Sequence, residues 1–129
     1  MRILIDTKRY RDFCEGDPVA VDLFRRAQEI HIPAIVVAEL RAGFAVGTRS
    51  QTNEETLNRF LHRSRVRVAA PDLATTRHYA QLFRQLRAQG TPIPTNDIWI
   101  AALAMQHDLM LASRDEHFRH LPQLPRIDG

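Results

Sequence analysis

Arg2-Ile3-Leu4-Ile5-Asp6, at the start of the chain, decides how the rest is read: a short apolar run that stops on an acid. Such a run is a buried strand, and Asp6 marks its end. Working outward, Pro18 to Glu29 carries Val21, Leu23, Phe24 and Ala27 at roughly helical spacing, so strand is followed by helix. Ile32 to Val37 is β-branched and predicts a second strand, passing into a helix that holds Glu39, Leu40 and Phe44, with Gly43 and Gly47 loosening its end. Thr52 to Arg63 has an apolar stripe of Leu57, Phe60 and Leu61, the mark of an amphipathic helix, before a strand at Val66 to Ala70 that Pro71 ends.

The second half repeats the alternation. Asp72 precedes a long helix to Gln89, with Tyr79, Leu82, Phe83 and Leu86 on one face and Gly90 as its stop. Thr91-Pro92-Ile93-Pro94 is a rigid connector, Asp97 opens a helix that is apolar nearly all round through Met105, and Leu109 to Ala112 is a further buried strand. A fifth short strand is expected near Arg126-Ile127. Strands alternating with helices predict an α/β fold with a parallel sheet covered by helices on both faces. No repeat or Gly/Ser linker interrupts the pattern, so residues 1–129 are read as a single domain with one core.

Composition bounds the function. The longest apolar run, Ile98 to Met105, has eight residues, far short of the roughly 20 of a membrane-spanning helix. No export signal is read in the first residues, and Cys14 is alone, so the expected setting is a reducing cytoplasm. The net charge of +3 suits a polyanionic partner. Of 18 basic residues, Lys8 is the only lysine.

In an open parallel sheet, ligands bind beyond the carboxyl ends of the strands. Four acids fall there by this reading: Asp6 after the first strand, Glu39 soon after the second, Asp97 at the start of the most apolar helix, and Asp115 beyond the strand Leu109 to Ala112. Each alone has a plain structural role as a turn former or a helix-terminal charge. Glu39 is the odd one, because Val36, Val37, Ala38 and Leu40 around it are apolar and a buried acid needs a partner or a cation. Four carboxylates on one rim repel one another unless cations sit among them. Oxygen donors without cysteine or paired histidine select a hard ion, Mg²⁺ or Mn²⁺. Such ions can activate a water and stabilise a leaving oxygen in phosphodiester hydrolysis.

At these residues the chain resembles the PIN-domain family, and within it the VapC-type toxin ribonucleases. The matching pieces are Ile3-Leu4-Ile5-Asp6-Thr7, Ala38-Glu39-Leu40 with Gly43 a turn later, Asn96-Asp97-Ile98-Trp99-Ile100-Ala101-Ala102 and Ser113-Arg114-Asp115-Glu116-His117-Phe118, in the family's order. The resemblance implies a three-layer α/β/α fold with about five parallel strands in the order 3-2-1-4-5, and endonucleolytic cleavage of RNA with Mg²⁺, or Mn²⁺ in its place. It implies Asp6, Glu39 and Asp97 as core acids and Asp115 as a fourth. Thr7 and Ser113 would be supporting hydroxyls, and Thr95 and Asn96 would shape the edge of the site. It further implies a homodimer and a VapB-type antitoxin as partner.

One position departs from the family pattern. Where Asn or Ser usually follows Asp-Thr, this chain has Lys8. Its ammonium either points to solvent or RNA phosphate, or competes with the cation and leaves a catalytically impaired module that binds without cutting. Arg9 and Arg11 either hold the RNA backbone or cover a helix surface. His117, two positions past Asp115 in a polar turn, is read as structural, and the remaining histidines form no metal-ligand spacing.

Overall fold

The computed structural model describes residues 1–127. Five parallel strands, β1 (Arg2–Ile5), β2 (Glu29–Pro33), β3 (Val66–Ala69), β4 (Met110–Ala112) and β5 (Arg126–Ile127), form one sheet in the order β3-β2-β1-β4-β5. This is the expected order, with β1 in the middle. Ile3, Leu4 and Ile5 are fully buried because helices cover the sheet, and each such side chain contributes roughly 1.5–3 kcal/mol.

The connections hold α1 (Thr7–Cys14) and α2 (Pro18–Arg26) between β1 and β2, α3 (Ala34–Val46) and α4 (Ser50–Leu61) between β2 and β3, and α5 (Leu73–Gln89) and α6 (Thr95–His107) between β3 and β4. The first two crossovers step one way along the sheet and the third steps back. Right-handed crossovers therefore put α1 to α4 on one face and α5 and α6 on the other. Ring contacts follow that division: Phe13 of α1 stacks on Phe24 of α2 at 4.4 Å, Tyr10 meets Phe60 of α4 edge-on at 5.2 Å, and Tyr79 of α5 packs on Trp99 of α6 at 4.3 Å. Trp99 thus serves packing between two helices.

Two elements differ from the sequence reading. Ile35-Val36-Val37 is helical, and the second strand lies earlier, at Glu29–Pro33. Glu29 and His31 alternate there with buried Ile30 and Ile32, a period-two signal that the β-branched run downstream outshone. Pro33 is the N-cap of α3 at φ −62°. Beyond it, burial of Val36, Val37 and Leu40 outweighs the few tenths of a kcal/mol that β-branched residues cost a helix. The second difference is α1 itself. Its buried side is Arg9, Tyr10 and Asp12, so an internal ion pair replaces the apolar stripe by which a helix is recognised.

Helix ends are closed by chemistry the sequence displays. Asp6 accepts the Arg9 N–H at 2.9 Å and Asp17 accepts the Ala20 N–H at 3.0 Å, with Pro18 opening α2. Asp72 and Thr75 form a reciprocal capping box on α5, and Gly90 ends that helix at φ +70°, where a side chain would be strained.

Candidate metal centre

The strand order reverses at β1, whose two neighbours are entered by crossovers of opposite direction, and the carboxyl ends of β1 and β4 lie side by side. Asp6 follows β1, and Ser113 to Asp115 follow β4. Ser113 joins the two segments. Its buried Oγ donates to Asp6 Oδ2 at 2.5 Å and accepts the Asp115 N–H at 3.0 Å. Its hydroxyl thus bridges the Asp6 carboxylate and the backbone of Asp115.

Asp97 arrives from the first turn of α6. The helix begins at Thr95 because Pro94, its N-cap, is itself extended at φ −55° and ψ 143°, and Thr95 and Asn96 lie exposed on the rim. Asp97 Oδ2 lies 2.8 Å from His117 Nδ1, and the same nitrogen is 3.2 Å from Asp115 Oδ1. Among the described residues, the ligand atoms of Asp97, Asp115 and His117 come within 4.8 Å of one another. The tightest group thus includes a histidine that the sequence reading took as structural, while Asp6 and Glu39 stand outside it.

Glu39 corrects a second expectation. It lies on the second turn of α3 and is exposed, not buried among its apolar neighbours, and Thr7 Oγ1 donates to its Oε1 at 3.2 Å. Thr7 therefore supports Glu39, as Ser113 supports Asp6.

Electrostatics tie the four acids together. Burial pushes the Asp6 carboxyl above its ordinary range, against the hydrogen bonds from Ser113 and the Arg9 N–H, and the Asp115 charge adds to the rise. Burial likewise raises Asp97, opposed by His117 and reinforced by Asp115 and Glu39. An oxygen-rich donor set whose charged state is disfavoured in the bare protein fits a divalent cation. Asp6, Asp97 and Asp115, with Glu39 at the edge, are the residues that would hold one.

The basic residues sort differently from expectation. Arg9 is 2% exposed, faces inward and pairs with Asp12 at 3.5 Å, so it is not available to an RNA backbone. Asp12 in turn takes a two-pronged bond from Arg114, at 3.0 and 3.1 Å, which holds its carboxyl below the ordinary range. This bridge ties the segment carrying Asp115 to α1. Sequence reasoning missed it, although Arg114 beside Asp115 was in plain view; the signal lay in Asp12, three residues after Arg9 on a helix not foreseen. Arg11 is exposed and lies across α3, where a Cβ added to Gly43 would stand 3.4 Å from its Nη2. Lys8 is exposed and, among the described residues, makes no ion pair with any of the four acids.

Known proteins resemble this chain in sequence and in fold. The family model described as PIN domain matches residues 3–124. Over 92 residues the chain is 37% identical to the plasmid stability protein StbB of Pseudomonas syringae, covering 68% of this chain and 66% of that protein. Over 121 residues it is 31% identical to the VapC ribonuclease Y4jK of Sinorhizobium fredii, covering 88% and 86% of the two. In three dimensions it is similar to a chain of the VapBC2 complex of Rickettsia felis bound to a DNA fragment from its promoter, with a TM-score of 0.86 at 23% identity over 98% of each. That last likeness speaks for the fold.

Proposed function

The chain belongs to the PIN domain family, and from that premise we propose that it is a divalent-metal-dependent endoribonuclease, the toxin of a VapBC-like toxin–antitoxin pair. The observation that carries this is the approach of Asp97, from α6, to Asp115 beyond β4, with Ser113 linking Asp115 to Asp6 at the end of β1 and burial disfavouring the charge on Asp6 and Asp97. Mg²⁺ is the expected ion, with Mn²⁺ as substitute. When bound, it supplies charge neutralisation at the phosphate and a more acidic water.

The chain's own groups do the rest. Ser113 keeps Asp6 and Asp115 at a fixed spacing. The Asp12–Arg114 bridge holds the loop that carries Asp115. Thr7 orients Glu39, and Arg11 is free of the interior to meet the RNA backbone. The relatives' names support RNA as substrate and an antitoxin as partner. Among the described residues no helix is long and apolar enough to cross a membrane. We read one domain acting in the cytoplasm as a homodimer, with Phe83, 45% exposed on α5, available to a second copy.

Incubating a labelled RNA with the purified chain in Mg²⁺, in Mn²⁺ and in chelator tests the reading. Products in the first two and none in the third are expected; equal cleavage in chelator would end it.

The exposure of Lys8 and its lack of an ion pair among the described residues favour contact with RNA phosphate over competition with the cation, and so disfavour an impaired module. Lys8→Asn is expected to leave Mn²⁺ affinity within about twofold while lowering the salt slope of RNA binding by about 0.7, the effect of one single-strand phosphate contact. Isothermal titration and salt-dependent binding check both halves. A large gain in metal affinity on replacing Lys8 would restore the competing reading.

A further inference from the structure

His117 is the group at the rim with no part in the reading above. It reaches the acids through its own backbone. Asp115 is the N-cap of the 3-10 helix Glu116–His120, and its Oδ1 accepts the His117 N–H at 3.0 Å, which turns the imidazole toward the carboxylates. Nδ1 then lies 2.8 Å from Asp97 Oδ2 and 3.2 Å from Asp115 Oδ1.

Those two separations admit a second description. Adjacent donors on a six-coordinate ion with bonds of about 2.1 Å stand about 3.0 Å apart. Each carboxylate oxygen therefore stands from Nδ1 at the spacing of a neighbouring ligand, and all three atoms lie within 4.8 Å of one another, close enough to share one cation. The imidazole is 46% exposed at its side chain, so no packing has to be broken for it to turn onto an ion.

We propose that His117 Nδ1 is a ligand of the divalent cation together with Asp97 and Asp115, and that the nitrogen biases the centre toward first-row transition ions over Mg²⁺. The inference rests on the metal-dependent reading above. An all-oxygen set suits Mg²⁺, whereas imidazole binds transition ions through a softer donor and gains along the series in which Mg²⁺ has no place. His117 thus sets which ion the centre holds, while the acids bring the charge that holds any ion at all.

Pulsed electron paramagnetic resonance on the full chain loaded with Mn²⁺ reads the nitrogen directly. Expected is a ¹⁴N modulation in the wild type that disappears in His117→Ala, with Mn²⁺ affinity falling about tenfold or more and Mg²⁺ affinity falling less than about threefold. His117→Gln keeps a hydrogen-bond donor for Asp97 without a ring nitrogen, and it should lose the modulation and the Mn²⁺ preference as the alanine variant does. Mn²⁺ bound without ¹⁴N modulation in the wild type would overturn the role of His117 and leave the acids' role standing. Full rescue of Mn²⁺ affinity by the glutamine would do the same. Failure of the wild type to bind Mn²⁺ at all would remove the metal reading along with the inference.

Discussion

Asp6→Asn is expected to lower divalent-dependent RNA cleavage about a thousandfold while leaving the melting temperature at or above that of the wild type in chelator. Loss of a charged ligand forfeits several kcal/mol of charge stabilisation at the phosphate, and about 4 kcal/mol corresponds to a thousandfold in rate. The fold survives because the isosteric amide keeps both neighbours. Asparagine caps helices as well as aspartate does, so the Arg9 N–H retains its acceptor. The Ser113 hydroxyl, which now donates to Oδ2, can rotate to accept from an amide nitrogen. Asp6→Ala would confuse the result, since loss of the cap alone costs about 1 kcal/mol. Initial rates at saturating Mg²⁺, set beside thermal melts of the same preparations, separate chemistry from folding. Retention of more than about a tenth of the wild-type rate by a folded asparagine variant would remove Asp6 from the centre.

The same residue shows what the sequence discloses and where it stops. Ile3-Leu4-Ile5 before Asp6 revealed a buried strand ending in an acid, and the alternation behind it revealed a parallel α/β sheet, because both depend on burial that apolar residues record directly; the strand order came from the family resemblance and matches the sheet. The α1 helix was hidden because its inner face is Arg9 and Asp12, a pair whose mutual satisfaction leaves no apolar trace. The start of α3 was hidden because Val36 and Val37 have strand propensity but helical neighbours, and packing decided the matter. The four candidate acids were singled out by position along the chain. Glu39, however, was expected to be buried on the strength of its apolar neighbours in sequence, whereas on a helix those neighbours face other directions. His117 was read as structural because it lies in a polar turn two positions past Asp115. Its actual partners are acids, one of them two residues away across an Asx-type turn and the other on α6.

Divalent ions are expected to raise the melting temperature strongly at pH 7.5 and scarcely at pH 4. Asp6 and Asp97 both have folded-state pKa values above their ordinary value of 3.8, chiefly through burial. In the metal-free protein the native state therefore binds protons more readily than the unfolded chain between that value and the raised ones. Stability falls as pH rises through this window and levels off above it, where both groups are ionised in both states. The cation acts on that ionised form. It binds deprotonated carboxylates in the native state and finds no assembled site in the unfolded chain, so at a hundred times its dissociation constant it adds about 2.7 kcal/mol. For a chain of this size that is a rise of roughly 10 °C. As pH falls through the raised pKa values, protons occupy the oxygens and the ion loses its ligands, so the increment must shrink toward zero. Melts with Mg²⁺ and with chelator from pH 4 to 8 give the increment directly. An increment that stays constant across the range would mean the ion binds elsewhere than among Asp6, Asp97 and Asp115.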